Sequence, residues 1–173
     1  MGNLERFKID LKSLTDRETA FQFSLDNAYF ETLGSTDVKG GDINADLAVR
    51  KTAGVYELHF HIQGSAVVAC DVCLDDMMQP IETQGTIVAR LGDTYDDSGE
   101  QIVVPAEEGI LDVSWLLYEQ VILAIPTRHV HAEGLCNPEM LERIGQMSVS
   151  ADDEPSSDPR WSELEKLRSI IKE

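Results

Sequence analysis

The sequence predicts an α+β fold: a curved antiparallel β-sheet, as a meander or a partly closed barrel, with one buried helix and two short C-terminal helices. Three observations lead there. Apolar residues recur at every second position in several runs before residue 92. The spacing turns helical after Asp112. The alternating runs have one polar and one apolar face, which suits an antiparallel sheet with a wet side. At 173 residues the chain has the size of one domain with a tail. A chain of that length buries roughly 70% of its unfolded surface, so a core forms without disulfides.

The elements follow in order. Leu4 to Phe30 reads as strand and loop, with Phe21, Phe23 and Leu25 alternating. Gly40-Gly41 reads as a break. Ile43, Ala45, Leu47 and Val49 then alternate with Asn44, Asp46, Ala48 and Arg50. After Lys51-Thr52-Ala53-Gly54 the alternation resumes through Tyr56, Leu58, Phe60 and Ile62, which makes a hairpin. Ala66 to Ala69 continues as strand, and Ile81 to Leu91 gives another alternating run. Gly92 to Gly109 reads as an acidic surface excursion around an edge strand at Ile102-Val103-Val104, with Pro105 excluding a long central strand. Asp112 is the expected N-cap of a helix over about 112–125, apolar on most of its surface and therefore buried, stopped by Pro126. Asn137 and Pro138 open a short helix that ends at Gly145. The expected layout is one domain over 1–145, a flexible linker over 146–157, and an amphipathic helix over 158–173 with Trp161, Leu164, Leu167 and Ile171 as its stripe.

Charge narrows the function. Basic residues number 14 and acidic ones 32, a net −18. Residues 61–111 alone carry ten acidic side chains and one basic. Such a surface repels phosphate backbones and favours basic partners. Excess acid also serves plain solubility. The candidate partner-binding residues are Asp93, Asp96, Asp97, Glu100, Glu107 and Glu108. No run of apolar residues is long enough for a membrane helix, and residues 1–10 lack the apolar centre of a secretory signal. Three cysteines, an odd number, fit a reducing cytoplasm, the expected location.

The sharpest chemical signal is a pair of short motifs. Cys70-Asp71-Val72-Cys73 ends a strand, and His131-Ala132-Glu133-Gly134-Leu135-Cys136 follows the helix. Tetrahedral zinc takes three thiolates and one imidazole, and each short motif supplies two ligands without strain. A structural zinc held by Cys70, Cys73, His131 and Cys136 would join the two halves of the chain. Two other readings stay open. Free cysteines are often small buried hydrophobes, which fits Ala69 and Leu74 beside them. A redox pair normally sits at a helix N-terminus, whereas here a strand precedes it and Asp71 and Asp75 would raise a thiol pKa. His129 rivals His131 as a ligand; His59 and His61 read as solvated strand residues. No nucleophile elbow, Walker loop or zinc-protease motif is present.

Taken together, several pieces carry a resemblance. They are Cys70-x2-Cys73-Leu74, the acidic excursion, Leu111-Asp112, Leu117 to Pro126, His131-x4-Cys136, and the late Asp158-Pro159-Arg160-Trp161 with Leu164 and Leu167. Over roughly residues 40–170 the chain resembles the bacterial YceD-type family, the large ribosomal RNA subunit accumulation proteins, formerly a domain of unknown function. The resemblance implies a cytoplasmic, non-enzymatic factor needed for large-subunit ribosomal RNA accumulation, with family genes commonly beside one for a large-subunit ribosomal protein. It places Cys70, Cys73 and Cys136 on recurrent cysteine positions; many members have a fourth Cys where this chain offers His131. Combined with the charge, it leads to an acidic adaptor for a basic ribosomal or assembly protein. The alternatives are a metal-dependent RNA-processing enzyme and a plain oligomerising scaffold.

Overall fold

The structure, a computed structural model, describes residues 4–15 and 17–148. The chain divides between Cys136 and Asn137 into two units.

In the first unit the predicted hairpin is present in register. Strand β3 (Gly40–Thr52) pairs antiparallel with β4 (Val55–Ala69), from Thr52↔Val55 to Gly40↔Val67. The turn is Ala53-Gly54, both at positive φ (51° and 85°), the two-residue geometry whose twist matches the flanking strands. Strand β2 (Thr19–Leu25) lies on the far side of β3, and β5 (Asp76–Gly92) beside β4. A fifth strand, β6 (Ile102–Pro105), completes the order β2-β3-β4-β5-β6. The sheet is an open antiparallel meander and does not close into a barrel. Its last pairing is parallel: Ala89↔Ile102 to Gly92↔Pro105. The acidic loop is the crossover that turns the chain around, and Pro105 sits at the edge strand's end, where no ladder donor is required. A two-stranded ribbon joins β1 (Lys8–Asp10) to β7 (Ile110–Asp112).

Gly40-Gly41 is not a break; it opens β3. A Cβ on Gly40 would lie 2.3 Å from Asn27 Oδ1 and one on Gly41 2.7 Å from Ser65 O, so the glycines serve close packing. The segment read as strand and loop also runs into a helix, α1 (Asn27–Leu33). Asp26 caps it, its carboxylate accepting from Tyr29 N at 2.9 Å, and Gly34 ends it at φ 70°. At seven residues α1 is too short for periodicity to reveal, although both punctuation marks stand in the sequence.

The predicted buried helix is α2 (Ser114–Ala124). It begins two residues later than expected because Asp112 is still paired with Lys8 in the ribbon. Asp112 nonetheless caps it from outside, accepting from Ser114 N at 2.9 Å and Ser114 Oγ at 2.6 Å. Leu117, Tyr118 and Val121 are buried, but Trp115 and Leu123 are 53% and 77% exposed. The expectation of a helix buried on most of its surface therefore holds for one side only. Below α2 the core is aromatic: Phe7 stacks on Phe23 with ring centroids 5.1 Å apart, and Tyr29 meets Phe7 at 5.0 Å and Phe30 edge-on at 5.1 Å. Tyr29 Oη donates to Ser114 O at 2.6 Å, tying α1 to the start of α2.

In the second unit, α3 (Pro138–Met147) has the predicted Asn137 cap, which accepts from Glu139 N at 3.0 Å, and Pro138 in its first turn. It passes through Gly145, where the sequence had suggested a stop. Gly145 is not at positive φ, so it does not form the left-handed cap that ends a helix. Gln146 and Met147 are helical; the rest of the expected linker beyond Ser148 and the helix expected over 158–173 lie outside the described residues. No helix among the described residues is long and apolar enough to cross a membrane.

Candidate metal centre

The β4–β5 connection is six residues long, 70–75, and folds back on itself. Cys70 N donates to Asp75 O and Leu74 N to Cys70 O, both at 2.9 Å. Val72 N points at Cys70 Sγ, 3.4 Å away. Leu74 is forced to φ 64°, a left-handed conformation that costs a branched side chain about 1–2 kcal/mol. The reversal places both thiols inward: Cys70 is 0% and Cys73 1% exposed.

The second knuckle lies on the loop after α2. Leu135 N donates to Ala132 O at 3.0 Å, closing a turn that has Gly134 at φ 81° between His131 and Cys136. Asp71 holds this loop against the first knuckle. Its N–H donates to His129 O at 3.0 Å, and its carboxylate accepts from His129 N at 2.7 Å. The His129 ring turns away, with Nδ1 3.1 Å from Pro126 O and Nε2 3.6 Å from Asp71. The sequence left His129 and His131 as rivals; the fold puts His131 in the cluster and gives His129 to Asp71. The part of Asp71 was not read from the sequence, where it counted only as a charge beside a thiol. Its position between the paired cysteines was the available signal.

Cys70 Sγ and Cys136 Sγ are 3.9 Å apart, Cys73 Sγ and His131 Nδ1 3.3 Å, and Cys136 Sγ and His131 Nδ1 3.9 Å. All four atoms lie within 4.8 Å of one another. A zinc tetrahedron with Zn–S of about 2.3 Å and Zn–N of about 2.0 Å has edges of roughly 3.5–3.8 Å. The separations of 3.3 to 3.9 Å lie around that figure, with the whole set inside 4.8 Å, and the three cysteines are free thiols. The residues present therefore fit a four-coordinate structural site.

Thiol electrostatics agree. Burial pushes the Cys70 thiol up, but the N–H groups of Cys73, Val72 and His131, with the Cys73 thiol, outweigh it and bring it down to about 6. The expected upward push from Asp71 and Asp75 does not prevail. Burial, then the Cys70 and Cys73 thiols, push Cys136 up to about 11. Without a cation the cluster favours the Cys70 thiolate and opposes that of Cys136; a dication would remove that conflict.

The other sequence candidates lie elsewhere. His59 Nδ1 is 2.8 Å from Thr86 Oγ1 on the polar face of the sheet. Asp93, Asp96, Asp97, Glu100, Glu107 and Glu108 are all exposed along the β5–β6–β7 connections. Asp96 Oδ1 accepts from Ser98 N and Oγ, which lowers its pKa. Lys12 reaches only the main chain here, donating to the Ala106 and Glu107 carbonyls.

A sequence model described as "Large ribosomal RNA subunit accumulation protein YceD" matches residues 58–168. The chain belongs to the YceD family. The YceD match takes in most of β4, all of β5 to β7, the six exposed carboxylates, α2 and every member of the Cys/His cluster. It leaves out β1, β2 and α1, which precede the span of the resemblance, and also β3, which that span had included. Searches of curated proteins and of solved structures gave no match. The YceD family's name carries a role in accumulation of the large ribosomal RNA subunit.

Proposed function

We propose that this YceD protein supports large-subunit ribosomal RNA accumulation as a non-enzymatic adaptor that binds a basic ribosomal or assembly protein. The observation that carries the reading is the acidic excursion between Gly92 and Gly109, with six exposed carboxylates and no basic residue: four on the crossover, and Glu107 and Glu108 on the β6–β7 connection. Phosphates are repelled by such a surface, and Lys/Arg-rich protein segments are drawn to it. The adaptor screens its partner's charge until RNA replaces it. Zinc on Cys70, Cys73, His131 and Cys136 would hold the loop after α2 to the β4–β5 turn, giving stability and no reaction chemistry.

Affinity capture from native lysate, with and without nuclease, tests the reading. Ribosomal proteins retained after nuclease, and lost when the six carboxylates become amides, are the expected result. Retention that depends wholly on intact RNA, or that survives neutralisation of the loop, overturns it. The association rate with a captured partner is expected to fall steeply with salt.

A further inference from the structure

α2 has an apolar side that the fold leaves open. A helix packed on a core normally turns polar residues to water. Here only Glu119 and Gln120 interrupt Trp115-Leu116-Leu117-Tyr118 and Val121-Ile122-Leu123-Ala124. Beside the exposed Trp115 and Leu123 runs a depression of about 660 Å³, walled on the other side by the end of α1 and residues 34–37. A second, of about 420 Å³, continues past Ile125 and Pro126 to Leu74, itself 64% exposed. The two share Thr36, Asp37 and Ile122, so they adjoin along the helix and are together called the channel.

The polar atoms of its aromatics are already satisfied. Trp115 Nε1 donates to Glu119 Oε1 at 2.8 Å, and Tyr118 Oη is 3.1 Å from Ser35 Oγ. Tyr118 is buried, so the exposed Trp115 ring is what remains for a ligand. Among the described residues, the acidic side chains on the channel walls are Asp37, Asp71 and Glu119, and no Lys or Arg lines it. Trp115 and Leu123 stand eight positions apart, about 12 Å along the helix, room for two turns of a second helix. The wall is a helix and not a sheet edge, so an occupant packs side chains instead of adding a strand.

We propose that this channel docks an amphipathic helix of the partner, aliphatic on one side and bearing Lys or Arg on its flanks. The apolar side covers Trp115, Ile122 and Leu123 while the flanking cations meet Asp37 and Glu119. This inference rests on the adaptor reading and adds to it a second, apolar contact. The acidic crossover steers the partner, and the channel holds it.

The test uses the full chain and a labelled 15-residue amphipathic Leu/Lys peptide, followed by fluorescence anisotropy. Controls are a scrambled peptide of the same composition and one with Glu for Lys. Binding to the ordered peptide, at least tenfold weaker for Leu123→Ser and for Asp37→Asn/Glu119→Gln with unchanged melting temperatures, is the expected result. Equal binding of the scrambled peptide, or of Leu123→Ser, overturns the proposal. A lowered melting temperature for Leu123→Ser also overturns it, because the chain itself, residues 158–173 included, would then be covering the side chain. So does a concentration-dependent dimer that Leu123→Ser dissolves. Amide substitution of the six carboxylates between Gly92 and Gly109 separates the two readings. If it abolishes capture from lysate while Leu123→Ser does not, the adaptor stands and the channel falls. If Leu123→Ser alone abolishes both capture and peptide binding, the channel stands without the crossover.

Discussion

Asp71 and His129 are bonded main chain to main chain in one direction and side chain to main chain in the other, at 3.0 and 2.7 Å. These two bonds bring the loop after α2 onto the β4–β5 turn without help from any ligand atom. They tie the two knuckles that carry Cys70, Cys73, His131 and Cys136, a support that would lower the entropy cost of binding a cation there.

Replacing Asp71 should weaken metal binding without touching a ligand. Asp71→Ala is expected to lower zinc affinity 10- to 100-fold in competition with a chromophoric chelator, the usual effect of losing a supporting residue. Asp71→Asn keeps an acceptor for His129 N and should recover most of it.

Protein prepared without chelator or nickel resin is expected to hold one zinc per chain by elemental analysis. Stripping it should cost about 3 kcal/mol, the stabilisation from a ligand present at a few hundred times its Kd. The melting temperature should then fall by roughly 6–12 °C. Cys136→Ser should reproduce the stripped melt and show no further loss with chelator.

The stripped protein should reveal the cluster's unequal thiols. Thiolate absorbance is expected to rise in separate steps, the first centred near pH 6 and the last near pH 11. Folding favours the Cys70 thiolate, so that contribution is present in the alkaline range and is lost as pH falls through about 6. Cys136 works in the opposite sense: folding favours its protonated form, a contribution lost as pH rises toward about 11. A single step near the ordinary thiol value would contradict this picture.

Leu74 stands at φ 64° where glycine is at ease. Leu74→Gly should stabilise the zinc-loaded protein by about 1 kcal/mol in urea denaturation. A loss of stability would show that the Leu74 side chain contributes more than its strained backbone costs.

Tyr29→Phe removes the buried hydroxyl bond to Ser114 O, the tie between α1 and the first residue of α2. The cost should be about 1–3 kcal/mol, seen as a lower urea midpoint at unchanged slope.

Much of this was legible because it is local. The β3–β4 register followed from period-two alternation meeting at Ala53-Gly54, and the two halves of the Cys/His cluster from their short spacings. What stayed hidden depends on distant partners. The Lys8–Asp112 pairing delays α2, the Asn27 side chain explains Gly40, and β6 runs parallel to β5 because the crossover brings the chain back beside Ala89 before it sets off again in the same direction. The open side of α2 was misread for a related reason: an all-apolar helix signals burial on every side, and only the fold shows which side lacks a neighbour.

Cys136, the last member of the cluster, immediately precedes the second unit. Pro126 follows the end of α2, and Cys136 lies ten residues further on. A cation in the cluster would therefore close the span between them at both ends, fastening an otherwise irregular stretch to the body that carries β4 and β5.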